Sequence, residues 1–442
     1  MNNWQKVKLI DVADVKLSSI DKKTKAGQRK VRLCNYTDVY NNSYINNDLV
    51  DDFMIASCSE SDFERFVLKK GQVAITKDSE TTDDIGVPTY IAEDFENVVL
   101  GYHLSLITPN EDKLDGKYLN YWLKTNYAKR YFENNATGSG QRCTLVLDVI
   151  KSIPIYLPSL SVQKQIAKVL FDLETKIELN NKINTKLESI AKVIYDYWFV
   201  QFDFPDASGN PYKSSGGKMI YNEVLKREIP EGWKVLSLES ICDIINGYAF
   251  KSEWYKASGI KIIRTKNFEN GYLNLSDINY LEKEFASEFE KYNLNTFEFL
   301  MVMVGASTGK YSIVNSNVLP ALQNQNMWRF VSKTSSQLYL NHKLRRIILE
   351  LESTTNGSAR GFFQKGTFLN KKVEIPENGL VKLFIEKVES IYRKIDNNLN
   401  ENQKLAELRD WLLPMLMNGQ VTVKEAKEHL NQAAEPQESY QK

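Results

Sequence analysis

The stretch SVQKQIAKVLFDLETKIELNNKINTKLESIAKVIYDYWF (161–199) decides how this chain folds. Its apolar residues fall at Ile166, Leu170, Leu173 and Ile177, then at Leu187, Ala191, Ile194 and Trp198, in steps of four and three. That spacing is a coiled-coil seam on one long helix. At about 39 residues such a helix is roughly 60 Å long. The two missing seam positions are Asn180 and Asn184. A second seam runs through Phe384, Val388, Ile391, Ile395, Leu405 and Leu412, and its gaps are Asn398 and Asn402, 218 positions on (398 − 180). Arg409 stands where Ala191 stands in the first seam, so the second is less regular. A buried Asn costs stability unless its amide finds a partner, but it fixes register. Four asparagines at matched heights predict that the two helices pair antiparallel, about a pseudo-twofold axis. The alternative has these positions facing solvent or another subunit.

Working outward from the helices, the chain is written twice. Trp4, Leu9, Val12, Asp14 and Val15 recur 229 positions later (233 − 4) as Trp233, Leu238, Ile241, Asp243 and Ile244. Farther along the spacing is 218 (355 − 137), carrying Thr137 onto Thr355, Arg142 onto Arg360, Ile155 onto Val373, Pro158 onto Pro376 and Ile177 onto Ile395. A repeat this long implies two homologous domains rather than a short-repeat solenoid. Each half reads in the same order. Short β-rich runs such as Gln72 to Thr76 and Phe299 to Val304 come first, broken by Gly, Asn and Asp turns. An amphipathic helix is predicted around Lys117–Glu133 and Gln337–Glu352, then a Gly/Ser loop, a strand ending at Pro158 or Pro376, and the long helix. The predicted fold class is α+β: two homologous mixed domains, 1–160 and 233–378, separated by two long helices forming an antiparallel coiled coil, 161–200 and 379–417. Residues 201–232 form a connector. Residues 418–442 are a polar C-terminal tail, of which the last ~20 residues are expected to be disordered. Pro414 is expected to kink or end the second helix near Leu413.

Bulk composition sets limits. The 442 residues exceed one ordinary core, and 42% hydrophobic with 26% charged residues is a globular balance. The opening MNNWQKVKLIDVADVK lacks a signal-peptide apolar core, and Phe299 to Val304 is too short to cross a bilayer, so a cytoplasmic protein with no membrane role is expected. Four dispersed cysteines and three dispersed histidines have neither disulfide-framework nor metal-ligand spacing. A net charge of +1 neither demands nor excludes nucleic acid, so any such contact must be local.

The order domain, long helix, domain, long helix resembles the specificity subunits of Type I restriction-modification enzymes. Three stretches carry the resemblance: IPIYLPSLSVQKQIAKVL (153–170); YDYWFVQFDFP (195–205) with GNPYKSSGGKM (209–219) and IPEGWKV (229–235); and LRDWLLPMLMNGQV (408–421). The middle one is the most specific, and the resemblance spans all but the polar tail. It implies two target-recognition domains, each reading half of a bipartite site on double-stranded DNA, and helices that serve as a ruler and as a docking surface. The docked partners would be two modification (methyltransferase) subunits, joined by restriction (translocase/endonuclease) subunits. S-adenosylmethionine, ATP and Mg would be bound by those partners, none by this chain, and this chain would be non-catalytic.

The leading DNA-contact candidates lie in the Gly/Ser loops GSGQR (138–142) and NGSARGFFQKG (356–366): Ser139, Gln141 and Arg142 in the first, Ser358, Arg360 and Lys365 in the second. Small residues let a backbone approach phosphates, and Arg can grip a guanine edge or a phosphate. The plainer reading is an ordinary turn with a solvated Arg. Lys77, Lys266, Asn267 and Lys310 are further candidates on turns, or equally solvated surface residues. Phe362 and Phe363 are more simply core residues. GASTGKY (305–311) is not a phosphate-binding loop, because only three residues separate its glycines and Tyr311 follows the lysine. GNPY (209–212) lacks the second proline of the amino-methyltransferase motif, and no glycine-rich cofactor fingerprint accompanies it. Among the aromatics Tyr195, Tyr197, Trp198, Phe199, Phe202 and Phe204, the partner-interface candidates are Tyr197, Trp198, Phe199 and Phe202; the competing reading packs the helix end onto its own domain. Two rival functions remain at this point: a coiled-coil scaffold with two ligand-binding domains, and a self-sufficient methyltransferase.

Overall fold

The computed structural model describes residues 4–138, 142–269, 271–305, 307–334, 336–354 and 364–434. The chain divides into two compact units, Met1–Ile177 with Lys404–Lys442, and Glu178–Gln403. Both divisions fall inside the long helices, Leu160–Tyr195 and Asn378–Met417.

The first unit opens with β1 (Gln5–Lys8), β2 (Ala13–Leu17), β3 (Arg29–Cys34), β4 (Tyr44–Ile45), β5 (Met54–Cys58) and β6 (Val73–Thr76). It continues with β7 (Asp78–Ser79), β8 (Pro88–Ile91), β9 (Val98–Leu100), β10 (Leu104–Pro109), β11 (Thr137–Gly138), β12 (Cys143–Thr144) and β13 (Pro154–Leu157). A five-stranded sheet has the order β2-β10-β6-β8-β4, and a smaller one the order β5-β3-β9. The central strands β6 and β10 are buried on both faces nearly throughout, as their unbroken apolar runs require. β1 pairs antiparallel with β13, closing the domain just before the long helix. Ile166, Leu170 and Leu173 of that helix enter the same core as Leu412, Leu416 and Met417 of the second.

Two sequence expectations need correction in this unit, and a third, that Pro414 kinks or ends its helix, is narrowed. The helix expected over Lys117–Glu133 is two helices, Gly116–Leu123 and Asn126–Asn135, because Thr125 caps the second by accepting from the Ala128 N–H at 3.3 Å. Pro414 does not end its helix, which runs on to Met417. Proline costs one backbone hydrogen bond there, but buried Leu412, Leu416 and Met417 anchor the last turn. Residues 423–434 of the tail form a helix rather than a disordered segment. Thr422 and Glu425 make a capping box, Thr422 N–H to Glu425 at 2.7 Å and Glu425 N–H to the Thr422 hydroxyl at 3.3 Å, and Ala426 is buried in the core.

The second unit repeats the plan. Its strands are β14 (Met219–Asn222), β15 (Arg227–Pro230), β16 (Lys234–Ser237), β17 (Cys242–Asn246), β18 (Ile260–Ile263), β19 (Phe268–Glu269) and β20 (Tyr272–Leu273). β21 (Asn279–Leu281), β22 (Phe299–Val302), β23 (Tyr311–Ile313), β24 (Ala321–Gln323), β25 (Met327–Ser332) and β26 (Lys372–Ile375) follow. The order β17-β25-β22-β23 matches β2-β10-β6-β8, and β21-β18-β24 matches β5-β3-β9. In both small sheets the middle strand has one antiparallel and one parallel neighbour. β16 pairs with β26 as β1 does with β13.

Inside this unit the two long helices run antiparallel. Asn398 Nδ2 donates to Asn184 Oδ1 at 2.7 Å, and Asn180 Nδ2 donates to Asn402 Oδ1 at 2.9 Å and to Glu401 Oε2 at 2.8 Å. Asn402 Nδ2 in turn donates to Asn181 Oδ1. The amides at the seam therefore pair with one another, with Asn184 Nδ2 left unpartnered. The first helix continues past Tyr195 into a π turn, Asp196–Val200. Here Tyr195, Trp198 and Phe199 pack with Tyr339 and Phe384. The connector also belongs to this unit: Phe202 and Phe204 pack on Trp233, and Arg227 of its hairpin pairs with Glu374 at 2.8 Å.

Candidate nucleic-acid interface

In the first unit β7 extends straight from the end of β6, and it pairs with β12, which pairs with β11. This small sheet holds the base of the 138–142 loop against the end of the central strands. Asp78 is its hub. Lys77 Nζ and His103 Nδ1 both lie 2.6 Å from Asp78 Oδ2, and the Thr144 hydroxyl donates to Oδ1 at 2.7 Å. Burial alone would push the carboxyl up; the hydrogen bonds from Lys77, Thr144 and His103 outweigh it and hold it below the ordinary carboxylate range. The Lys77 ammonium also sits 5.1 Å from the centre of the Tyr102 ring.

An open cleft of about 400 Å³ adjoins this hub, lined by Tyr36, Tyr40, Asp78, His103 and Arg142 among others. Tyr36 and Tyr40 stack with ring centres 5.7 Å apart, and the Tyr40 hydroxyl donates to Asp84 at 3.0 Å. Sequence reasoning proposed Lys77 and Arg142 separately, and the fold brings both to this cleft. Arg142 is exposed at its rim, while Lys77 is buried and paired. Ser139 and Gln141 lie outside the described residues.

The first unit also carries a basic run that sequence reasoning passed over. In DKKTKAGQRK (21–30), Lys22, Lys23, Lys25 and Lys30 are exposed. The loop is tied down by Lys25 N–H to the Ser57 hydroxyl at 2.7 Å, and Lys22 is close enough to Asp38 to lower that carboxyl's affinity for its proton, against a larger opposing effect of burial. Asp38 is on the helix that carries Tyr36 and Tyr40. Five cations in nine residues were the visible signal.

In the second unit the candidates are more scattered. Lys310 is exposed on the turn between β22 and β23, where the Thr308 hydroxyl donates back to the Gly305 carbonyl at 2.7 Å. Lys365 starts the helix Lys365–Asn370 and donates to the Ile244 carbonyl at 2.9 Å. Lys266 is ion-paired with Asp277, whose carboxyl is lowered chiefly by that contact. Asn267 is buried and its amide is spent on structure: Oδ1 accepts from the Arg264 N–H at 2.9 Å, and Nδ2 donates to the Asn274 and Asp277 carbonyls. Ser358 and Arg360, with Phe362 and Phe363, lie outside the described residues. Of the four aromatic interface candidates, Trp198, Phe199 and Phe202 are buried in this unit's own core, which is the competing reading; Tyr197 alone of them is exposed.

Among the described residues no helix is long and apolar enough to cross a membrane. A family model described as the Type I restriction modification DNA specificity domain matches this chain twice, at residues 1–189 and 230–408. The MjaIX Type I restriction enzyme specificity subunit of Methanocaldococcus jannaschii is 24% identical over 363 residues, covering 80% of this chain and 76% of that protein. The HindI specificity subunit of Haemophilus influenzae is 24% identical over 417 residues, covering 80% and 87%. A crystal structure of a Type I restriction-modification S subunit from M. genitalium superposes with a TM-score of 0.55 at 15% identity, covering 94% of this chain and 97% of that one, a likeness of fold.

Proposed function

Because the chain belongs to the Type I restriction modification DNA specificity family, we propose that it reads a bipartite site on double-stranded DNA, one half-site per unit. The observation that carries this reading is the repeated topology, with the exposed Arg142 set beside the tyrosines, His103 and carboxylates that line the cleft at the strand ends of the first unit. Cations there grip phosphates and set the protein's position, while turn-borne side chains reach base edges. The paired helices, fixed in register by their asparagines, act as the ruler between the two readings.

The same proposal assigns the chemistry elsewhere. The chain itself is non-catalytic; it docks two modification subunits, which bind S-adenosylmethionine, and restriction subunits, which use ATP and Mg, in the cytoplasm. The test is a methylation map of DNA from cells co-expressing this chain with its modification subunit, together with DNA titrations of the purified complex at rising salt. A split motif of fixed spacing, and affinity falling by orders of magnitude between about 50 and 200 mM salt, is expected. Arg142→Ala and Arg360→Ala should each impair one half-site; equal loss on all DNA would make both arginines phosphate contacts. An intact complex that leaves DNA unmodified would favour a scaffold instead.

A further inference from the structure

The two units repeat one local geometry whose letters they do not share. In each, the parallel strand of the small sheet leads into the central strand of the large sheet through three residues: Gly101-Tyr102-His103 between β9 and β10, and Asn324-Gln325-Asn326 around the end of β24 and the start of β25. The first residue donates its N–H to Cys34 O or Ile263 O, and the second to Ile20 O or Tyr248 O. The third is left-handed in both, with φ of 72° at His103 and 68° at Asn326. Its carbonyl accepts from the residue that follows the other central strand, Lys77 or Met303. Left-handed backbone is costly for residues with a side chain, and His and Asn are among those that tolerate it. Glycine would supply the same turn at no steric cost. Each unit instead keeps a hydrogen-bonding side chain at the strained position.

The second unit's turn is rigidly seated. Gln323, fully buried, donates from Nε2 to both Ile245 O and Met327 O at 3.1 Å, bridging strands across the turn's base. Asn324 Oδ1 accepts from the Gln325 N–H at 2.7 Å. Gly247 passes so close that a Cβ there would lie 1.8 Å from Asn324 O. On this platform Gln325 and Asn326 are exposed, and among the described residues their side-chain amides make no hydrogen bond within the fold. In the first unit the corresponding side chains are the exposed Tyr102 and the half-buried His103, whose Nδ1 is engaged by Asp78.

We propose that this repeated turn is the base-reading position of each unit, and that the Gln325 and Asn326 carboxamides read an adenine–thymine pair in the major groove. A carboxamide offers one donor and one acceptor side by side, which matches the N7 acceptor and N6 donor of adenine. Tyr102 and His103 present a hydroxyl and an imidazole Nε2 at the equivalent place, so the first unit reads a different base. This inference rests on the DNA-reading function proposed above.

The test uses the complex of the full chain with its modification subunit, and the readout is the methylation map. Asn326→Gly removes the amide but keeps the left-handed backbone, and Asn326→Asp keeps the shape but replaces a donor with an acceptor. Both are expected to reduce discrimination at one adenine-containing position of one half-site, on the order of 10- to 100-fold, while the other half-site keeps its full sequence. Retention of the complete wild-type motif by either variant would overturn the assignment and leave two-part DNA reading in place. A wild-type complex with no split motif would instead remove the functional reading on which the inference stands.

Discussion

The asparagine pair at the helix seam sets up a quantitative prediction. Asn184 and Asn398 are 3% and 1% exposed, and their one mutual hydrogen bond is 2.7 Å long. Asn184 Nδ2 has no partner, so the pair is satisfied only in part. Asn398→Ala removes the donor and strands Asn184 Oδ1 in the core. The lost bond is worth about 1 kcal/mol and the unsatisfied acceptor a further ~1–3 kcal/mol, so a cost of about 2–4 kcal/mol is expected. Replacing both residues by Leu removes every polar atom from the layer. Burial of each Leu contributes about 1.5–3 kcal/mol, set against overpacking of ~1–3 kcal/mol, and the double variant should be at least as stable as the wild type. What it should lose is register, because apolar seams slide more freely than amide-locked ones. With two units, global unfolding is not two-state. The assay is therefore hydrogen exchange of the amides in 178–195 and 388–403. A cost below about 0.5 kcal/mol for Asn398→Ala, or a double-Leu variant no more stable than Asn398→Ala, would refute the reasoning.

Two further predictions concern the frame around the site. Glu374 is buried with Lys343 at 3.0 Å and Arg227 at 2.8 Å; burial pushes its carboxyl up, but the two cations outweigh that and bring it from 4.5 down to about 2. A depressed carboxyl stabilises the fold above its unfolded value and loses that contribution as pH falls from about 4.5 towards 2, so the stability gap between wild type and Glu374→Gln, ~3 kcal/mol near neutrality, should shrink over that range in hydrogen exchange of the second unit's amides measured against pH. Thr422→Ala breaks the capping box of the terminal helix and should cost ~1 kcal/mol, read as faster hydrogen exchange confined to 423–434; unchanged exchange there would mean the packing of Ala426 alone holds the helix.

The parts of the fold legible in the sequence are those written in local periodicity. The seam residues and their asparagine gaps are spaced by helix geometry, so their burial and pairing follow from spacing alone. Strand order does not, because β3 finds β9 and β18 finds β24 across long stretches of chain. Local signals also compete. Thr125 and Thr422 both announce a helix start, yet the first sits inside a continuous amphipathic pattern and the second inside a polar tail, and the broader pattern concealed them. Pro414 does not stop its helix as it would an isolated one, because the burial of Leu412 and Leu416 carries the helix past it.

The site was less legible for a reason built into duplication. Matching letters locate the scaffold, as in the strand pairs β1–β13 and β16–β26 that Trp4 and Trp233 precede and Pro158 and Pro376 follow. A position that discriminates between two different half-sites must instead differ between the halves, so a search for repeated residues passes over it. His103 and Asn326 are 223 positions apart (326 − 103), between the two spacings that the conserved anchors display, 229 and 218. Insertions and deletions in the loops have shifted the register at the point where the side chains diverge. Only the backbone retains the equivalence, in two left-handed residues whose carbonyls receive the same strand-end N–H. Arg142 and Arg360 stood out because they are alike and fall at the same 218-residue spacing as the scaffold anchors. Gln325 and Asn326 have no such twins, and divergence on an unchanged, strained frame is what a pair of readers for two sequences requires.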